Sequence, residues 1–339
     1  MKIGVIGDIH LKDSLGYSDY IADRRTSEKK KIFDTIVEKF SSCGLIIFMG
    51  DQLNGRNNPS EVIREFVELL ERFDKQEIVV LAGNHEKSGD GKTAVDFLKE
   101  VKKDNWTIVN DSIETSKDKK FVYCPYFYKG ELGLKTDASA AKKVMSQLKS
   151  AKILFVHQAI SDTMVNGTTT NLFKEIILPK NELEKKYQLV VGGHIHSPQT
   201  EGRTIITGSV INQEVGEHEK YIWRIDSTTM KVEQIKLPGR GIYKLENPTL
   251  EQIAEIDDGN IVKVILTEKI SKDKVDEIRE KIERFDAHLL LEQYPTERRK
   301  TVVADNLLDY TVVQLLEVYA NEKKIDINKL KSAFELVKV

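Results

Sequence analysis

At 339 residues the chain exceeds the roughly 250 to 300 residues at which a single hydrophobic core stops growing, so two or three domains are expected. Forty per cent apolar and 31% charged residues exclude a disordered chain, and 52 Lys and Arg against 54 Asp and Glu exclude recognition of a polyanion through bulk charge alone. Two cysteines, Cys43 and Cys124, exclude a disulfide framework and are expected as buried thiols in a reducing compartment.

The amino-terminal "MKIGVIGDIH" reaches an acid by residue 8, which is too early for a signal peptide. No run approaches the roughly 18 apolar residues of a membrane span, so no membrane partner and a cytoplasmic location are expected. "KIGVIG" (2–7), an amphipathic stretch from Ser27 to Phe40, "LIIFMG" (45–50), a helix over 58–73 and "EIVVLAG" (77–83) then alternate. With a helix near Thr93 to Val101 and "WTIV" (106–109), this is a β-α-β rhythm, and its continuous apolar strands imply a sheet covered on both faces. "KFVYCPYF", a helix near Ala138 to Leu148, "KILFVHQ", "QLVVGGHIH", "RTIITGS" and "KYIWRI" follow. These later strands lack full helical spacers, so the second half of the sheet is expected to be mixed or antiparallel.

A first domain is expected over 1–227 and a small α+β unit over 228–300, the latter built from "NIVKVILTE", a helix from Lys272 to Phe285, and "HLLLEQY". Residues 301–339 predict two amphipathic helices. Leu307, Leu308, Val312, Leu315, Leu316 and Tyr319 share one face, and Ile327, Leu330, Phe334 and Val337 share the other. With little chain left to cover them, these faces call for a partner.

Chemistry collects at strand ends. Asp8 and His10 follow the first strand, Asp51 the second, Asn84 and His85 the third, His157 follows "KILFV", and His194 and His196 close "QLVVGGHIH". In open α/β sheets ligands sit beyond the carboxyl ends of the strands. Five of the seven histidines fall at such ends, and alternate residues of an extended "DIH" or "HIH" project to one side. A mixed Asp, Asn and His set suits octahedral Mn, Fe or Zn in a two-metal cluster, which makes phosphoester hydrolysis the natural chemistry. Asp51, central among these ends, is the candidate bridge. Gly7, Gly50, Gly83, Gly192 and Gly193 permit the tight turns and close backbone approach that such a cluster needs.

"GDIH", "GDQL", "GNHE", "VH" and "GGHIH" occur in the order of the five motifs of the calcineurin-like metallophosphoesterases, which the chain resembles over residues 1 to about 225. "GSVINQEVGEHEKYIWRID" (208–226) and "NNPSEVIREFVELLERF" look like segments of the SbcD-type double-strand-break nucleases. The resemblance implies an α/β fold, a two-sheet metallophosphoesterase sandwich flanked by helices, with a small α+β cap and C-terminal helices. It implies one ion on Asp8, His10, Asp51 and His196, and another on Asp51, Asn84, His157 and His194, with Mn2+ foremost and Mg2+, Fe or Zn also suited. It makes His85 the general acid, and Glu86, standing where the family usually has Asp, the residue that orients it. Asn54 sits where some members carry a His facing the phosphate. The implied function is cleavage of DNA, exonucleolytic from duplex ends and endonucleolytic on single strands. The implied partners are an SbcC-type coiled-coil ATPase, gripped by the C-terminal helices, and a second copy of the chain.

Two alternatives stand beside this reading: a phosphoesterase for small substrates such as a cyclic nucleotide, nucleotide sugar or phosphoprotein, and a non-catalytic scaffold that binds DNA ends. "GDGKT" (89–93) is not a phosphate-binding loop, because position 86 is Glu where that motif needs Gly. "EKKK" (28–31) reads as a solvated face, "ERRK" (297–300) as such a face or a phosphate contact, and His218 and His288 as ordinary surface histidines.

Overall fold

The computed structural model describes residues 1–293, save 14, 18, 20, 22, 24, 89–91, 102, 166–167 and 218, together with residues 320, 326 and 327. The chain divides into two compact units, Met1–Ile265 with Ile270–Leu291, and Leu266–Lys269 with Glu292–Val339. Apart from the three residues named, the expected C-terminal helices over 301–339 and the "ERRK" run lie outside the described residues.

In chain order the first unit opens with β1 (Lys2–Ile6), α1 (Thr26–Phe40), β2 (Leu45–Phe48), α2 (Ser60–Glu71), β3 (Glu77–Leu81), α3 (Phe97–Val101) and β4 (Trp106–Val109). Then come β5 (Glu114–Thr115), β6 (Phe121–Cys124), α4 (Asp137–Gln147) and β7 (Ile153–Val156). An excursion carrying the two-residue strands β8 (Ala159–Ile160), β9 (Met164–Val165), β10 (Thr168–Thr169) and β11 (Ile177–Leu178) leads to α5 (Lys180–Lys186) and β12 (Leu189–Gly192). Next are β13 (Gln199–Glu201), β14 (Thr204–Ile206), β15 (Tyr221–Asp226) and β16 (Val232–Lys236). Last come β17 (Ile242–Glu246), α6 (Leu250–Ala254), β18 (Ile261–Leu266), α7 (Lys272–Ile282) and β19 (Ala287–Glu292).

Two six-stranded sheets carry the fold, in the orders β16-β15-β1-β2-β3-β4 and β13-β14-β12-β7-β6-β5. The side-chain period of two explains their stacking. Ile3, Val5, Leu45, Ile47, Val79 and Leu81 point from the first sheet toward Phe121, Tyr123, Ile153, Phe155 and Val191 of the second. Ile46, Phe48, Ile78 and Val80 point the other way, onto Ile36, Phe40, Phe66 and Leu70 of α1 and α2. Val122, Leu154 and Val190 likewise leave the inter-sheet core for Ala140, Val144 and Leu183 of α4 and α5. Layers of helix, sheet, sheet and helix result, as expected of a metallophosphoesterase sandwich.

Some expectations change. Of the later strands, β15 and β16 extend the first sheet, while β5, β6, β7, β12, β13 and β14 build a separate sheet, mixed as expected, in which β6, β7, β12 and β14 run parallel and the edges β5 and β13 are antiparallel. Helix α4, at the place where the sequence predicts a helix, spans β6 to β7, and α5, which the sequence does not announce, precedes β12, so the two supply the crossovers. The first sheet also continues past residue 227, because β16 pairs along its length with β15. The three-stranded sheet β17-β18-β19 starts only after it. Helix α3 begins at Phe97, not at Thr93, because Asp96 accepts the Thr93 N–H at 2.8 Å and closes a turn there. Cys43 and Cys124 are buried free thiols.

A buried ion cluster ties α1 to the start of β17. Arg25 grips Glu28 with two bonds, Nε to Oε2 at 2.7 Å and Nη2 to Oε1 at 2.6 Å, and donates Nη1 to the carbonyls of Gly16 and Asn212. Arg240 adds Nη1 to Glu28 Oε2 at 2.9 Å and turns its Nε to Asp286. The "EKKK" run is therefore only partly a solvated face: Glu28 is interior, and Lys29 pairs with Glu65 of α2 at 2.6 Å. Burial pushes the Glu28 carboxyl up, but Arg25 and Arg240 outweigh it and hold it below its ordinary 4.5. Replacing one member strands the others, so Glu28→Gln is expected to cost about 3–5 kcal/mol in urea unfolding at neutral pH. The native carboxyl titrates below the unfolded one, so this contribution is complete above pH 4.5 and fades as pH falls through the depressed value. A gap between parent and variant that stayed constant into acid would contradict the assignment.

Candidate metal centre

Parallel strands end on one side, so β1, β2 and β3 deliver Asp8, His10, Asp51, Asn84 and His85 together, while β7 and β12 bring His157, His194 and His196. The chain must then turn inward at once, and it does so in backbone conformations that L-residues rarely adopt. His10 has φ 51°, Asp51 51° and His194 73°. Non-glycine residues held in this way cost on the order of 1–3 kcal/mol each and cluster at functional sites. Two predicted glycines have a measurable reason: a Cβ on Gly50 would lie 2.3 Å from His157 Nδ1, and one on Gly83 would lie 2.1 Å from Asp51 Oδ1.

All nine predicted site residues come together. Asp8, His10 and His196 present donor atoms within 4.8 Å of one another, and so do Asp51, His157 and His194. His10 Nε2 and His196 Nε2 face each other at 2.9 Å, each 4.0 Å from Asp8 Oδ2. Asn84 Oδ1 lies 2.9 Å from His194 Nδ1 and 3.3 Å from His157 Nε2. The two groups meet at a single oxygen, Asp51 Oδ2, 3.3 Å from His157 Nε2 and 4.0 Å from His10 Nε2. Asp51 Oδ1 is occupied differently, accepting the His85 backbone N–H at 2.8 Å.

Whether these residues fit cations is decided by where their protons sit. A carbonyl or carboxylate only accepts, so His157 carries its proton on Nδ1, against Met49 O at 2.7 Å, and His194 carries its own on Nε2, against Glu175 Oε2 at 3.0 Å. Their other nitrogens point lone pairs inward at the Asn84 and Asp51 oxygens. Asp8 Oδ2 is buried with no hydrogen-bond partner among the described residues. Acceptors that face acceptors in a buried cluster are at rest only around positive charge. Burial and the neighbouring Asp51 push the Asp8 carboxyl well above its ordinary range, and burial drops His10 to about 3. The donor set fits a pair of divalent cations.

His85 is exposed at the rim, its ring edge-on to His10 at 4.6 Å and its Nδ1 3.2 Å from the Asn54 carbonyl. The expected pairing of Glu86 with His85 is corrected. Glu86 is fully buried, and its two oxygens accept the backbone N–H groups of Asp51, Gln52, Leu53 and Gly83 at 2.7–3.2 Å. It shapes the Asp51 turn, and the Asn54 carbonyl is what contacts the His85 imidazole. Sequence reasoning missed Glu175, behind His194, and Glu217, whose Oε1 lies 3.5 Å from His196 Nδ1 and 2.9 Å from Lys220 Nζ. For Glu217 burial pushes upward, but His196 and Lys220 hold the carboxyl far below its usual range. His288 is exposed, as expected, and His218 lies outside the described residues.

A helix, sheet, sheet and helix sandwich with two clusters of Asp, Asn and His sharing one carboxylate at its strand ends defines a metal-dependent phosphoester hydrolase. Residues 1–198 match the calcineurin-like phosphoesterase family profile, and the chain belongs to that family, whose members use a dinuclear divalent metal site. Among solved structures it is similar to a novel archaeal phosphodiesterase at 15% identity and a TM-score of 0.34, covering 70% of this chain and 100% of that one. It is also similar to a protein of Thermus thermophilus at 12% identity and a TM-score of 0.41, covering 69% and 98%. No curated protein matches the sequence. Among the described residues no helix is long and apolar enough to cross a membrane.

Because a methyl on Gly83 would occupy the place of Asp51 Oδ1, Gly83→Ala is expected to weaken cation binding roughly 10–100-fold with an unchanged far-ultraviolet dichroism spectrum. Titration calorimetry with manganese checks this; parent-like affinity would show that the close approach is dispensable.

Proposed function

We propose that the chain is a manganese-dependent DNA nuclease, exonucleolytic on duplex ends and endonucleolytic on single strands, and the nuclease subunit of an SbcCD-like DNA-end processing complex. The observation that carries the hydrolytic part is Asp51 Oδ2 reaching both histidine clusters with exposed His85 beside them. The resemblance of 208–226 to the SbcD-type nucleases supports the choice of DNA. An exposed His85 at the rim suits a bulky polymeric phosphodiester better than a substrate that must be enclosed.

When bound, the two cations supply a nucleophile at neutral pH and offset the charge that develops on the phosphoryl oxygens. Asp8, His10, Asp51 and His196 would hold one, and Asp51, Asn84, His157 and His194 would hold the other. His85 completes the chemistry. With Nδ1 3.2 Å from the Asn54 carbonyl, Nε2 is the atom to which we assign the acid proton. As the attacking oxygen bonds to phosphorus and the ester P–O bond breaks, that proton passes to the leaving oxygen. Glu86 keeps the Asp51 turn in place throughout. The segment 301–339 is the proposed docking element for the coiled-coil ATPase, and a second copy of the chain would set two sites on one duplex.

Incubation with Mn2+ and an end-labelled linear duplex, beside a chromogenic phosphodiester, is expected to degrade the duplex, and a chelator to stop it. Dye release with the duplex left intact would move the protein to the small-substrate reading. His85→Asn is expected to bind metal and DNA like the parent while cleaving roughly 10²–10⁴-fold more slowly. A variant as fast as the parent would remove the acid role, and a metal-loaded parent that binds ends without cleaving would favour the scaffold.

A further inference from the structure

We infer that Glu175 is the positioning residue of the pocket formed by Asp51, Asn84, His157 and His194, and that it sets the cation affinity of that pocket apart from its neighbour's. The inference rests on the two-cation reading above, and it goes beyond that reading by giving the two positions different strengths.

The outer supports of the two pockets differ in charge. Behind His196 stands Glu217, but Lys220 lies 2.9 Å from it and also donates to Ser209 Oγ and to the His196 carbonyl, so this carboxylate is already neutralised. Behind His194 stands Glu175, 3.0 Å from Nε2, and among the described residues no Lys or Arg pairs with it. Its other partner is the Tyr126 hydroxyl at 3.3 Å. His157 has only the dipole of the Met49 carbonyl. An imidazole bonded to an unneutralised carboxylate is the stronger donor, and the residual negative charge favours a cation nearby.

Glu175 is also held in place. Gln158, 1% exposed and next to His157, donates its Nε2 to the Ile176 carbonyl at 3.1 Å while its Oε1 accepts the Phe127 N–H. Tyr126 packs edge-on against Tyr128 at 4.9 Å, and the Tyr128 hydroxyl donates to the Asn84 carbonyl at 3.0 Å. Glu175, Tyr126, Tyr128 and Asn84 thus form one chain of contacts around the pocket. It locks the ring of a residue whose own backbone lies at φ 73°, and so keeps Nδ1 aimed inward.

The test is a manganese titration of the full chain, by calorimetry and by the electron paramagnetic resonance signal of the coupled Mn pair, for the parent, Glu175→Gln and Glu175→Ala. The parent is expected to fill two sites. The Gln variant, which keeps an acceptor but loses the charge, should weaken one site at least several-fold, and the Ala variant roughly 10–100-fold. The other site should stay within about twofold, and the coupled-pair signal should appear only at higher manganese. Two sites unchanged in both variants, or both weakened alike, would overturn the role of Glu175 alone. A parent that binds no pair would overturn the two-cation reading and this inference with it. The result does not depend on DNA cleavage, so failure of the nuclease assignment registers separately.

Discussion

The centre depends on one buried carboxylate that touches neither substrate nor ligand position. Glu86 gathers the N–H groups of Asp51, Gln52, Leu53 and Gly83, joining the turn after β2 to the turn after β3. Four donors on two oxygens are enough to keep an acid in the interior, and charge-assisted bonds of this kind are about twice as strong as neutral ones. Asp51 then has no freedom to leave its left-handed backbone conformation, and its Oδ2 stays where the two clusters meet. The arrangement has a cost: burial and the charge of Asp51 push the Glu86 carboxyl up even against four amides. Asp8, Asp51 and Glu86 are all interior, so like-charge repulsion collects among them that a pair of cations would relieve. Ligand binding of that kind stabilises the native chain, by about 2.7 kcal/mol at a free concentration one hundred times Kd.

Much of this centre is legible in the sequence because its residues follow strands whose apolar runs are unmistakable. "KIGVIG", "LIIFMG" and "EIVVLAG" announce three parallel strands, and whatever follows them lands on one edge. The supports are not legible for the same reason in reverse. Glu175 lies late in the excursion between β8 and β11, where no periodicity marks it, and it meets His194 only because β12 pairs with β7. Glu86 misleads differently. It adjoins His85 in sequence, but the chain turns through Asn84–Glu86, so the carboxylate faces back beneath Asp51 and the imidazole faces out.

Sheet membership is the other illegible feature. "KYIWRI" and the strand after it look like continuations of the run before them, yet β15 crosses back to pair antiparallel with β1, with Val5 opposite Trp223 and Ile3 opposite Ile225. A strand pattern reports which faces are apolar and says nothing of which neighbour covers them. Trp223 sits in the inter-sheet core and donates its indole N–H to the Thr207 carbonyl at 2.9 Å, which anchors the return strand to the loop that follows β14.

That loop gives physical content to the stretch "GSVINQEVGEHEK". Gly208 has φ 76°, Ser209 bridges to Asp8, and Glu217 and Lys220 converge on His196 and Ser209. The pattern that most resembles a DNA-end nuclease is therefore, in large part, the buttress of one metal pocket. It constrains how His196 and Asp8 are held, while the rim is shaped separately, where exposed His85 leans on the Asn54 carbonyl. The contact is made by the Asn54 backbone, so the orientation of the His85 ring does not depend on the side chain at that position.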